Sequence, residues 1–220
     1  MTEALGKHHS RIAPNFELKL PPERLEPNEV RLLMDACDRT TIGLRNRGLL
    51  VVLYRGGLKL GEALALRIRD VDADAHALHL GSAKRSRSIG LDTRAWQMLA
   101  EWLEVRDGLG LGDGPLFCTL KGGPLQSGYI RTWLPKLAED AGVHRRVHSQ
   151  AFRHTFAGEL VLEGRSLTFI QEVLGLANLA STEGYLDELA IPRPDPVAAL
   201  RARPWAVIDD QPELAAAEAA

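Results

Sequence analysis

Cysteine is nearly absent from this chain. Its 220 residues hold two, Cys37 and Cys118, far apart and without CxxC spacing. That argues against a disulfide-stapled scaffold or a thiolate zinc module, and both are expected to be small buried hydrophobes. Long apolar runs are missing too: none reaches the roughly 18 residues that a membrane-spanning helix needs. The opening MTEALGKHHSRIAPNF has no apolar signal core, so a cytoplasmic location is expected. His8, His9 and His79 lack metal-ligand spacing, and no metal or other cofactor is expected. Aromatic residues make up only 5% of the chain. Trp96 and Trp102 are expected in packing, not as a base-stacking platform.

A positive excess is also lacking. The formal charge is −2, which disfavours an indiscriminate binder of polyanions. The distribution is uneven, however. Residues 204–220 carry Asp209, Asp210, Glu213 and Glu218 with no Lys or Arg, and removing these four from the 29 acids leaves 25 against 27 bases. Basic clusters stand at Arg45/Arg47, Lys84-Arg85-Ser86-Arg87 and Arg145-Arg146. They form a nucleic-acid footprint only if the fold gathers them on one surface.

Helical periodicity is abundant. Val30, Leu33, Met34 and Cys37 share a face, a second helix is expected over 42–54 up to Gly56-Gly57, and a short third one holds 61–66. The period then changes. Residues near 76–80 and 86–91 read as short strands around a turn of Gly81-Ser82-Ala83-Lys84. Asp92 can cap a helix whose inner face is Ala95, Leu99, Trp102, Leu103 and Arg106. More helices are expected at about 126–141, 150–163, 166–174 and 179–186. The class is mainly α with a small antiparallel β-sheet. The organisation reads as an N-terminal arm (1–24), a main domain (25–190) and a proline-broken C-terminal tail (191–220).

Two stretches carry chemistry: YRGGLKLGEALALRIRDVD (54–72), and 148–188, which opens HSQAFRHTF and closes STEGYLDE. Together they resemble the tyrosine recombinases, or phage integrases. That family has a TGLRxxELxxLxxxDxD box, a lysine in a β-hairpin turn, an HxLRH box, an LGH or LGW box, and a tyrosine nine residues after that box. Gly57, Leu58, Glu62, Leu66, Asp70 and Asp72 keep the first register. Phe152-Arg153-His154-Thr155-Phe156-Ala157 keeps the second, and Leu174-Gly175 followed by Tyr185 the third. The resemblance implies the fold of the family's catalytic domain, duplex DNA as partner, and Tyr185 as nucleophile beside Arg153. Lys59 stands at the family's first arginine, Ser82 at its hairpin lysine, Gln150 at the histidine of HxLRH and Leu176 at that of LGH. Lys84 is a possible substitute for the lysine. His148 lies five residues before Arg153, not three, and does not restore the missing histidine.

These departures bear on the reaction that the resemblance implies, attack of a tyrosine oxygen on a DNA phosphodiester. Guanidinium forks suit the charge that develops on phosphate oxygens. A phenol of pKa near 10 must shed its proton as it attacks, and the leaving oxygen must gain one. Lys59 keeps charge without the fork, Gln150 cannot accept a proton, Ser82 is no cationic acid and Leu176 offers nothing polar. One lost donor typically costs about 3–4 kcal/mol of transition-state stabilisation, and such losses are rarely additive.

The expectation is therefore a DNA-binding relative with weak or absent strand cleavage, in an accessory or regulatory role, touching DNA through Lys59, Lys84, Arg85, Arg87 and Arg153. Two rivals stand beside it: an active or slow site-specific recombinase, and a protein-interaction module without DNA binding. Only some 24 residues precede the catalytic pattern, where the family usually has a DNA-clamping helical domain. Modest, strongly salt-dependent DNA affinity is expected. The tail, with Val197, Ala198, Leu200 and Trp205, is a possible contact to a second copy or another recombinase.

Overall fold

Asp92 stands between a strand that ends at Gly90 and a helix that begins at Thr93. Its carboxylate accepts from the amides of Arg94 and Ala95 at 3.1 and 3.0 Å, the N-cap expected from sequence. The computed structural model describes residues 23–82 and 85–191. Within them lie α1 (Pro27–Ala36), α2 (Thr41–Tyr54), α3 (Leu60–Ala65), β1 (Val71–Asp72), β2 (Ala77–Ser82), β3 (Arg85–Gly90) and α4 (Thr93–Gly108). The helices α5 (Ser127–Asp140), α6 (Ser149–Leu162), α7 (Leu167–Leu174) and α8 (Leu179–Glu188) follow. The fold is mainly helical with one small antiparallel sheet, ordered β1-β2-β3.

The sheet corrects the sequence reading in two places. Ser82 pairs with Arg85, and Leu78 with Ile89, so the strands run further than expected and the turn is shorter than 81–84. The third strand, β1, was not foreseen, because two residues are too few to show a period of two.

The centre of the protein is α2, where Leu49 to Leu53 are almost fully enclosed. Thr40 caps it by accepting from the Gly43 amide. Helix α4 lays Trp102 against Gly48, and the Trp102 indole donates to the Leu116 carbonyl at 2.9 Å. Trp102 is thus core, and Trp96 stacks on His76. Cys37 and Cys118 are buried and unpaired, as expected. A second apolar cluster joins α6, α7 and α8 through Phe156, Leu160, Ile170, Leu174, Leu186 and Leu189. It sets the position of Tyr185. Midway along α6, the Leu25 amide donates to Thr155 Oγ1 at 2.7 Å, so the chain entering α1 lies against this helix.

One cluster offered as a DNA footprint is not on the surface. Arg45 is 4% exposed and donates to Asn46, the Cys118 carbonyl and the Tyr129 hydroxyl. Arg47 is paired with Glu101. These arginines hold α2 to its neighbours. No helix among the described residues is long and apolar enough to cross a membrane.

Candidate active site and its arginines

Arg153 lies on the inner face of α6 with 1% exposure. Its Nη1 donates to the Gly57 carbonyl at 2.5 Å and its Nη2 to the Leu174 carbonyl at 2.7 Å. One guanidinium therefore ties α6 to the α2–α3 connection and to the end of α7. Gly57 is required there: its φ is +59°, and a Cβ would stand 2.5 Å from Phe156 Cδ1. In this conformation the fork faces protein, not solvent.

Tyr185 comes from the middle of α8 and reaches the same place. Its hydroxyl lies 3.0 Å from Nδ1 of His154, with the rings stacked at a centroid distance of 5.5 Å. Burial pushes the Tyr185 phenol up to about 12, against the pull of the Arg153 charge. Burial, with the charges of His148 and Arg153, pushes His154 down to about 4. At neutral pH both are uncharged and share one hydrogen bond, whose direction the imidazole tautomer sets. Both shifts oppose moving the phenolic proton to this imidazole. The resting site holds the nucleophile protonated.

The remaining candidates are scattered around this centre. Lys59 is exposed at the start of α3, where its amide donates to Glu62 Oε2 at 2.9 Å. Gln150 is exposed on the first turn of α6. Leu176 packs partly against the second apolar cluster. Arg87 donates to both Glu62 oxygens, at 3.1 and 2.9 Å. Lys84, and the side chains of Ser82 and Arg85, lie outside the described residues. His148 precedes α6, and its ring meets that of His154 edge-on at 6.4 Å.

The structure thus brings together Arg153 and Tyr185, the two residues that match the resemblance directly, and adds two that the sequence reading did not name as site residues. His154 carries the contact to Tyr185, and its signal was present as the last letter of the HxLRH box. Glu62 was a register marker only, and nothing in one sequence says that it receives Arg87. Among the described residues no group of three or more His, Cys, Asp or Glu side chains could hold a metal ion.

Residues 23–190 match the model of the phage integrase family. The chain belongs to that family. It is 30% identical over 168 residues to the tyrosine recombinase XerC of Shewanella amazonensis, covering 76% of this chain and 57% of that protein. It therefore spans little more than half the length of that curated relative. The crystal structure of XerA recombinase superposes with a TM-score of 0.69 at 27% identity, over 83% of this chain and 64% of that one. The XerH site-specific recombinase bound to its palindromic difH substrate, a post-cleavage complex, gives 0.65 at 26% identity, over 76% and 50%. The expected fold is the fold of these recombinases.

Proposed function

We propose that this chain binds duplex DNA through the face around Lys59, Arg87 and Arg153, and that it contributes little or no strand cleavage of its own. The observation that carries this reading is the state of Tyr185. Its phenol is held protonated against a neutral His154, and the positions that would assist it carry Lys59, Gln150 and Leu176. Cations for holding a phosphate are present, while groups able to move protons at neutral pH are few. The likeness to a DNA-bound site-specific recombinase supports the choice of DNA as partner. An accessory or regulatory part in recombination or integration, such as a mobile element would encode, follows from binding without cleavage.

The competing reading is an active or slow recombinase, favoured by the convergence of Arg153, His154 and Tyr185. A nicked suicide duplex separates the two, because it traps any 3′-phosphotyrosyl bond as a covalent adduct. No adduct is expected from the unmodified protein. A Tyr185-dependent adduct would install the recombinase reading instead.

A further inference from the structure

Arg87 faces the wrong way for a solvated hairpin residue. Along β3, Ser86 and Ser88 are exposed while Arg87 and Ile89 turn inward, as strand alternation requires of residues two apart. The guanidinium passes over Gly175, the left-handed residue that ends α7. A Cβ there would stand 2.3 Å from Arg87 Nη1. The preceding carbonyl, Leu174, is the one that holds Arg153 Nη2. Two guanidinium groups therefore flank the Leu174–Gly175 segment, one from the sheet and one from α6.

They differ in access. Arg153 is 1% exposed, with Nη1 and Nη2 each given to a carbonyl. Arg87 keeps 21% of its side chain in solvent. Glu62 takes one N–H from each Nη in an end-on pair, and Arg87 Nε has no partner. Of the five N–H groups of an arginine, three are uncommitted: Nε, which is buried, and one on each Nη. Glu62 also accepts from the Lys59 amide, so one carboxylate links the lysine that replaces the family's first arginine to an arginine on β3. Burial alone would raise the Glu62 pKa, but Arg87 and the Lys59 amide outweigh it and hold the group ionised.

We propose that Arg87 supplies the second guanidinium of the phosphate site, compensating from β3 for the fork lost at Lys59, with Glu62 as its positioning carboxylate. Lys59 is then an outer point charge, and Arg87 is the fork that a DNA phosphate meets before Arg153 is uncovered. This inference rests on the DNA-binding reading above.

The test is binding of the full chain to a fluorescein-labelled 24-base-pair duplex, followed by anisotropy over a salt series. Arg87→Gln should lower affinity about tenfold and reduce the salt slope by about one ion, as loss of one phosphate contact does. Arg87→Lys should keep the slope and still lose several-fold affinity, because charge is retained and the fork is not. Glu62→Gln should change affinity in the wild-type background and much less beside Arg87→Gln, since its effect runs through Arg87. Thermal melts report folding, and if Arg87→Gln does not fold, Arg87→Lys decides. Affinity and salt slope unchanged in Arg87→Gln, or unchanged affinity in Arg87→Lys, overturn the role of Arg87 and leave DNA binding standing. No salt-dependent binding by the wild-type chain overturns both.

Discussion

The Tyr185 hydroxyl and His154 Nδ1, from residues 31 apart in sequence, meet at 3.0 Å. That contact joins α8 to α6 beside the buried Arg153, so the state of the nucleophile depends on how these two helices pack. A neutral imidazole suits it. A protonated one would be a buried cation beside Arg153, which already depresses the His154 pKa.

Acid should therefore weaken the fold through this pair. The unfolded chain protonates His154 near 6.5 and the folded chain only at about 4. Between those values the unfolded state binds more protons, so stability falls as pH drops through that window and is unaffected by this group above it. The loss approaches about 3 kcal/mol at the lower end. The neighbouring His148 shifts in the same direction, while Glu62 is held below the ordinary carboxylate value. Urea melts at pH 7, 5.5 and 4 check it, with His154→Asn as reference. The wild type should lose more stability on acidification than the variant; equal losses would reject the assignment.

Arg153 should behave as a structural residue before it behaves as a ligand. Arg153→Ala leaves the Gly57 and Leu174 carbonyls without their donors and opens a cavity in a closed site. A cost of about 3–5 kcal/mol is expected, in the range for breaking a buried charged contact. Lys59→Ala, at an exposed position, should leave the melting temperature unchanged while weakening DNA binding. Melting curves and anisotropy on both variants check the contrast.

Gly57→Ala should be more harmful than a single methyl suggests. The left-handed φ and the close approach of Phe156 and Leu174 act together, for a loss of about 2–4 kcal/mol. The Gly57 carbonyl would also move away from Arg153. Chemical denaturation measures the first effect, and a parallel fall in DNA affinity would report the second.

Restoring the family's residues should restore chemistry if the scaffold can use it. Lys59→Arg, Ser82→Lys, Gln150→His and Leu176→His together are expected to raise adduct formation on the nicked duplex above that of the unmodified chain. Each returns a fork, a cationic acid or a proton carrier. Adding Tyr185→Phe to the fourfold variant should abolish the gain. A gain that survives without the hydroxyl would mean that another nucleophile is at work.

Local chemistry was legible in the sequence. Apolar residues at helical spacing marked the long helices, Asp92 marked a cap, and the change to period two marked the β2–β3 hairpin. Motif order and spacing carried the family, and with it the nearness of Arg153 and Tyr185. Those signals lie within short windows, where backbone geometry alone dictates which residues share a face. The two-residue β1 lay below that limit. Tertiary structure decided what each charge is for. Arg45 and Arg47 looked like a basic patch, yet one is enclosed among carbonyl and hydroxyl acceptors and the other is paired with Glu101 of α4. Arg87 sat in a run of polar residues, yet strand alternation turns it inward, against Gly175 and Glu62. A guanidinium buried without acceptors is costly. Its role is therefore fixed by which carbonyls and carboxylates the completed fold brings to it, and those come from segments far away along the chain.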